Sequence, residues 1–552
     1  MDTGPPGGGQ AATDDEGHSL TDCLERARRY ALALSDRVKS LDVDPLHSAA
    51  YLTYLAKYLK VPFQKAPKRQ HLFNIPSTAR RPFVIQYLLR PGKSPDTNSF
   101  DDPYGFTASA ASPSQNEILF LTGRPSADWL NCLGSKYSLD YRFFHQHLGP
   151  IISGNRQQWS AGPDLPSRSL QVLTMQIPTI VFVGSRGRNL DIRGLEIARE
   201  KCNAQLRRAF LSLQDSAASE AGRSIIRRLE VHDGGTLVVE QQMTATIVHR
   251  GNFWTIFIWS DAGNEVDHAH IPVPPTEDFA SVASDLVFCP VFFDNQSTGA
   301  SHPVTLPDRG IHPHSMQPLV LLNTRYGFTI DWSTCSTDSP LAVLKELFMF
   351  NAAAALQYVN MLDHVLLEIG GRSDFPSYEH TKLETTVQYD YIKASLSRFE
   401  QHCSDVLAFL RDPPVKWKLG ESHSSVDSAA ISDFDYLTSR ARSLLKVCED
   451  GKATLMSNDS VQAAKRSARE AKLVTQLTKT TNRLTFIFLP ISYITSVFGM
   501  NFEQFGQGSM SIWVWAVTTI PLLIICVLIV ERGEWMKSKW RQYRGSDGTA
   551  RL

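Results

Sequence analysis

The spacing of apolar residues changes character along the chain, and each change predicts a different kind of element. From Ser19, Leu20, Leu24, Ala27, Ala31 and Leu34 recur at helical spacing, which predicts a short amphipathic helix that Ser19 or Thr21 can cap. Residues 60–115 are rich in Pro, Ser and Asp and carry few periodic signals. Strand-like runs then recur at 118–122, 170–176, 179–183, 244–249, 253–259 and 287–292. β-Branched and aromatic residues flank Arg250-Gly251-Asn252, the signature of a β-hairpin. Between the runs, 192–213 reads as a helix. Residues 19–330 are thus expected to form a mixed α+β cytosolic domain, ending in a Pro/His-rich loop near 294–318.

After Pro340 the period becomes helical and stays so. Segments 341–369 and 378–410 predict a long helical pair over 340–412, broken by Gly370-Gly371 and Pro376. A polar Pro/Ser/Gly linker occupies 413–428. A stalk helix region follows over 432–483, with Ser432 and Asp433 offering caps and with Gly451 and Asn458-Asp459 as expected breaks. No repeat of solenoid length is visible.

The C-terminal end reads as membrane-spanning. Residues 512–530 carry no charge and would span about 28 Å as a helix, enough for a hydrocarbon core. Trp513 and Trp515 stand at one end and a basic cluster at the other. A first span is expected over 484–501, where the polar residues are ordered rather than scattered. Thr478, Thr481, Thr485, Ser492, Ser496 and Gly499 fall three or four apart, with Leu489 filling the gap. That is a seam of period about 3.5, the geometry of a helix packing against copies of itself. Such a seam either lines a water-filled path or packs small residues helix on helix. In the first case a pair of spans cannot enclose the path alone, and the protein must be a ring of identical subunits.

Charge sets the topology. Lys465, Arg466, Arg469, Lys472, Lys479 and Arg483 precede the first span, and Arg532, Lys537, Lys539, Arg541 and Arg544 follow the second. The outer loop 502–511 has no basic residue and one acid, Glu503. The positive-inside rule therefore places both termini, including the tail 531–552, in the cytosol. Residues 1–18 lack an apolar signal region and the Arg-rich character of a mitochondrial transit peptide. They read as a disordered tail, and a plasma membrane is favoured over a mitochondrial one. The net charge of +0 gives no field for nucleic acid. The 8 cysteines are scattered without a C-x-x-C pair, which fits a reducing compartment and excludes a disulfide framework.

Residues Leu484-Thr-Phe-Ile-Phe-Leu-Pro490-Ile-Ser492, followed by Phe498-Gly499-Met500-Asn501-Phe502, resemble the signature of the CorA magnesium-transporter superfamily. The match covers the C-terminal spans; upstream only the order of elements agrees. The resemblance implies a homopentamer in the lipid bilayer, with first-span helices lining a pore closed at its outer mouth by Gly499-Met500-Asn501. Asn501 would offer amide oxygens to the hydrated ion, Gly499 would let the chain turn, and Met500 would pack against a neighbour. Neutral oxygens suit Mg²⁺, which gives up water reluctantly. Thr481, Thr485, Leu489, Ser492 and Ser496 would face the pore, with Leu489 as an apolar constriction. Glu503 either concentrates cations at the mouth or is a solvated loop acid. The outer loop reads Glu-Gln-Phe-Gly-Gln-Gly-Ser-Met, without the second acidic motif of many bacterial members. Ion selectivity is open in consequence, since zinc- and cobalt-handling relatives share the G-M-N.

Other constellations are weaker. Asp267-His268-Ala-His270 and His312-Pro-His314 offer metal pairs or polar loop residues. Val183-Gly-Ser-Arg-Gly-Arg188 has the glycines and cations of a phosphate loop but matches no phosphate-binding fingerprint. Asn295-Gln-Ser297 is a glycosylation sequon on the cytosolic side, where it goes unused. No catalytic motif and no resident cofactor are expected, the metal being cargo. Divalent-cation transport, magnesium first, is the expected function. A zinc or cobalt transporter on the same fold, or a membrane-anchored sensor or scaffold, are the rivals.

Overall fold

The β-branched and aromatic runs of the first part of the chain come together in a single sheet. The computed structural model describes residues 11–41, 50–64, 82–109, 115–152, 171–183, 192–215, 221–233, 235–263, 286–291, 317–327, 330, 332, 339–373, 379–418, 428–498 and 511–546. They divide into two compact units, Met1–Gly451 and Lys452–Leu552. Strands β1 (Val84–Arg90), β2 (Lys93–Phe100), β3 (Glu117–Thr122), β4 (Leu173–Val183), β5 (Arg228–Val231), β6 (Thr236–Arg250), β7 (Phe253–Ser260) and β8 (Leu286–Phe288) belong to the first unit. Their order is β2-β1-β3-β7-β6-β4-β8, with β5 beside β7 on the same edge of β6. Pairing is antiparallel except for β3 with β7.

The expected hairpin is present: Arg250 pairs with Phe253 across Gly251-Asn252. Gly251 takes φ +61, a left-handed conformation that glycine adopts without Cβ strain. The runs expected at 170–176 and 179–183 are one strand, β4, passing through Pro178. Among the described residues β8 pairs only with Val181–Val183, so at Pro178 one edge of β4 is bare and a missing N–H costs least. The hairpin β1–β2 was not legible in 60–115. β2, Lys-Ser-Pro-Asp-Thr-Asn-Ser-Phe, is a mostly exposed edge strand with no apolar alternation to read.

Helices cover both faces. α1 (Ala11–Leu41), α2 (Thr53–Gln64), α4 (Ala127–Tyr137) and α5 (Tyr141–Ile152), with α3 (Pro103–Ser109) beside them, enclose a core built on Leu34, Leu59, Val84, Trp129, Phe144 and Trp259. Each such buried aromatic contributes about 2–3 kcal/mol over its exposed state. α1 starts at Ala11, earlier than the Ser19 expected, and buries Cys23, Ala27, Ala31, Leu34 and Val38. α6 (Ile192–Asp215) packs on the face of β4, β5 and β6 that carries Val181, Leu229, Val231 and Val239. The short α7 (Pro318–Thr324) and α8 (Pro340–Val343) precede the helical pair α9 (Lys345–Ser373) and α10 (Glu379–Arg411). α9 and α10 pack on β4, over the alternate residues of β5 and β6, Arg228, Glu230 and Glu240.

The linker expected at 413–428 is partly docked. A 3₁₀ turn, Val415–Trp417, buries Trp417, and His249 Nε2 stands 2.6 Å from the Lys416 carbonyl oxygen. The breaks expected at Gly451 and Asn458-Asp459 are absent, because α11 runs unbroken over Ser428–Phe498. Gly451 serves close approach instead: a Cβ there would lie 2.7 Å from the Tyr389 ring. α12 (Ile512–Ser546) completes the second unit.

Candidate functional site

The residues of the expected seam lie on α11. Thr481, Thr485, Leu489, Ser492 and Ser496 all fall on this helix and all are exposed in the single chain. Gly499, Met500, Asn501 and Glu503 lie outside the described residues, so the expected mouth has no geometry here. The same is true of the His268/His270 and His312/His314 pairs, of Asn295, and of 184–188.

Two features of the seam bear on its chemistry. Thr478 Oγ1 donates to the Val474 carbonyl and Thr485 Oγ1 to the Thr481 carbonyl, each at 2.9 Å. With its proton turned back into its own helix, each hydroxyl presents an oxygen acceptor outward. Such a surface suits a cation or the waters around one. Pro490, inside the helix, leaves the Phe486 carbonyl without its helical donor, which adds a further acceptor.

Every residue from 456 to 486 is exposed around the whole circumference of α11. Leu473, Val474 and Leu477 are each exposed by 59% or more. A long helical stretch with no packing partner among the described residues gains little from propensity alone. One step round from the hydroxyl seam, the sequence carries a second line: Leu473, Leu477, Thr480, Leu484, Ile487, Ile491 and Ile494. Their spacing alternates four and three, an apolar heptad, and Ile487, Ile491 and Ile494 are its partly covered members. In the sequence this line is overshadowed by the hydroxyl seam beside it, which has the same period.

Among the described residues one helix is long and apolar enough to cross a membrane, Ile512–Ile529 of α12, with mean hydropathy 2.6. Only 6% of that stretch is buried, whereas the core helix of a soluble domain would be mostly buried. No described window of α11 reaches that apolarity; the expected first span over 484–501 runs past Phe498, outside the described residues. On α12 the less exposed positions, Trp515, Ala516, Thr519, Leu522, Leu523, Cys526 and Val527, fall on one face.

Polar clusters in the first unit fall into two kinds. His147 Nε2 stands 3.1 Å from Asp261, and its Nδ1 stands 2.8 Å from Thr244 Oγ1. That is the outline of a nucleophilic triad, but both ends of the His–Asp pair are 0% exposed and His147 stacks on Trp259. No substrate reaches it. Burial pushes His147 down to about 4, and Arg227, bidentate on Asp261, holds the carboxylate ionised against its own burial. The cluster is a structural tie between α5 and the sheet.

The other cluster borders a cavity between the sheet and α9, α10 and the start of α11. Glu230 accepts from Tyr358 Oη at 2.6 Å, Arg398 Nη2 at 2.7 Å and Ser395 Oγ at 3.1 Å, with His232 Nε2 at 3.3 Å. Burial alone would raise its pKa, but these contacts overcome it and hold Glu230 at about 2. Among the described residues no group of three or more His, Cys, Asp or Glu could hold a metal ion.

No family model matches the chain, and no curated protein matches it. Among solved structures, the chain is similar to the CorA magnesium transporter from Methanocaldococcus jannaschii. That match covers 81% of this chain and 96% of the other, at 11% identity and a TM-score of 0.30. It is also similar to the full-length CmaX protein, over 82% of this chain and 99% of that one, at 11% identity and a TM-score of 0.27. Superpositions this loose locate no individual residue of the site.

Proposed function

We propose that the protein is a homo-oligomeric pore for divalent cations, magnesium first, lined by the hydroxyl seam of α11 and closed outside by Gly499-Met500-Asn501. The observation that carries this reading is the seam: oxygen acceptors at a spacing of three to four residues, on a stretch of helix left exposed among the described residues, leading to the G-M-N triplet. Hydrated Mg²⁺ can be passed along neutral oxygens through its waters without being trapped. The apolar heptad beside the seam supplies what the hydroxyls cannot, a surface that copies of α11 can bury together. Leu489 would be the constriction at which the water column narrows. Asn501 would form a ring of amide oxygens at the mouth, and the homopentamer implied by the family resemblance would set the number of helices around the path.

The lining is tested by Ser492→Leu combined with Ser496→Leu. The pair is expected to abolish cation flux while leaving oligomer mass unchanged, because leucine seals the path without touching the heptad. Flux retained in that double variant would remove the seam from the pathway, and no flux from the intact chain would favour the anchored sensor or scaffold.

A further inference from the structure

The cavity in the first unit opens to solvent, with about 500 Å³ of empty space that includes part of that solvent, and its polar groups are not all accounted for by the fold. The face of β4–β6–β5 turned toward α9 and α10 carries Gln176, Glu230 and Glu240 where a covered sheet face would ordinarily be apolar. Glu230 is fully engaged, as described above. Glu240 is not: Arg228 Nε, opposite it in the ladder, stands 3.7 Å away, beyond hydrogen-bond reach. Gln176 Oε1 is buried with no hydrogen-bond partner among the described residues. Gln176 faces Gln242 and Glu240 faces Pro178 in the β4–β6 register. The two side chains are therefore diagonal neighbours on one face, about 7–8 Å apart at their backbones. Asn351, 2% exposed, places a further amide on the cavity wall from α9.

We propose that this cavity binds a small primary alkylammonium ion, its –NH₃⁺ held by Glu240, Gln176 Oε1 and Asn351 Oδ1. An ammonium has three donors and no acceptor, which matches three side chains with oxygen acceptors lining one cavity, one of them a carboxylate. The rest of the cavity fits a hydrocarbon body: Ala355, Phe399, Val406 and Phe434 line it. A bare metal ion would have no use for those walls. Burial, helped by Glu230, raises Glu240 above the ordinary carboxylate range, with Arg228, Arg398 and Arg227 only partly offsetting it; a bound cation relieves the same cost. Phe434 belongs to α11, so an occupied cavity touches the first turns of the helix that also carries the hydroxyl seam. The site stands whether or not the protein transports ions.

The test is calorimetric titration of n-butylammonium chloride into the purified full chain in mild detergent at moderate salt. The expected result is saturable binding at one site per chain, unmatched by 1-butanol and undisturbed by excess MgCl₂. Glu240→Gln should weaken it at least tenfold, Gln176→Leu should weaken it several-fold, and Ala355→Leu, which fills the cavity, should abolish it, with circular dichroism confirming each fold. Should one variant misfold, the remaining variants and the 1-butanol comparison still decide. Absence of saturable binding would overturn the proposal. So would equal binding to all variants, equal binding of 1-butanol, or displacement by MgCl₂, which would mark a metal site.

Discussion

Glu230 and His402 lie on the same cavity, both are held below their ordinary pKa values, and both make the fold sensitive to acid. Burial, with Arg228 and Arg398 nearby, holds His402 down to about 4, so the folded chain keeps it neutral. An unfolded histidine titrates near 6.5. Between about pH 6.5 and 4 the unfolded state therefore binds more protons, and stability falls as pH falls through that window. His147, also at about 4, acts in the same direction. Glu230 adds a second loss lower down, from the ordinary carboxylate range toward about 2, where its partners can no longer hold the charge. The midpoint of thermal unfolding of the full chain in detergent should accordingly drop steadily from pH 6.5 to 4. His402→Gln, which removes one of the two titrating histidines, should flatten that slope. A slope identical to the parent would mean that His402 titrates normally in the folded chain.

At the scale of elements, glycine and proline were the residues most easily misread. Gly451 suggested a helix end, yet its missing side chain admits the Tyr389 ring between α10 and α11. Gly451→Ala should cost about 1–3 kcal/mol through overpacking, seen as a lower unfolding midpoint with helix content unchanged. A neutral result would show that Tyr389 shifts aside freely. Pro178 likewise split one strand into two on paper, because its tolerance depends on an edge that only the sheet order reveals. What was legible were elements whose burial is periodic: β3, β7 with its hairpin turn, α6, and the helices after Pro340. β2 was not, since an exposed edge strand of polar residues obeys no burial pattern. The ties of Glu230 and Asp261 were also out of reach, because their partners come from distant parts of the chain and meet only after folding. The hydroxyl seam was legible because it is a periodic feature of a single helix.

The whole molecule joins a mixed α/β unit to a long helix and an apolar C-terminal helix, with basic residues before 484 and after 530 and none in 502–511. The ring of copies proposed above would cover the exposed length of α11. Light-scattering mass in mild detergent should exceed that of a dimer, as a closed ring requires; a monomer or dimer would rule out a pore built from one seam per chain. The most direct test of the central claim is Mg²⁺ uptake into cells lacking their own magnesium importers, comparing the intact chain with Asn501→Ala at matched surface amounts. Uptake that disappears in Asn501→Ala is the predicted result and would tie transport to the G-M-N mouth. Undiminished uptake in Asn501→Ala, or no uptake of Mg²⁺, Zn²⁺, Co²⁺ or Ni²⁺ by either form, would contradict it.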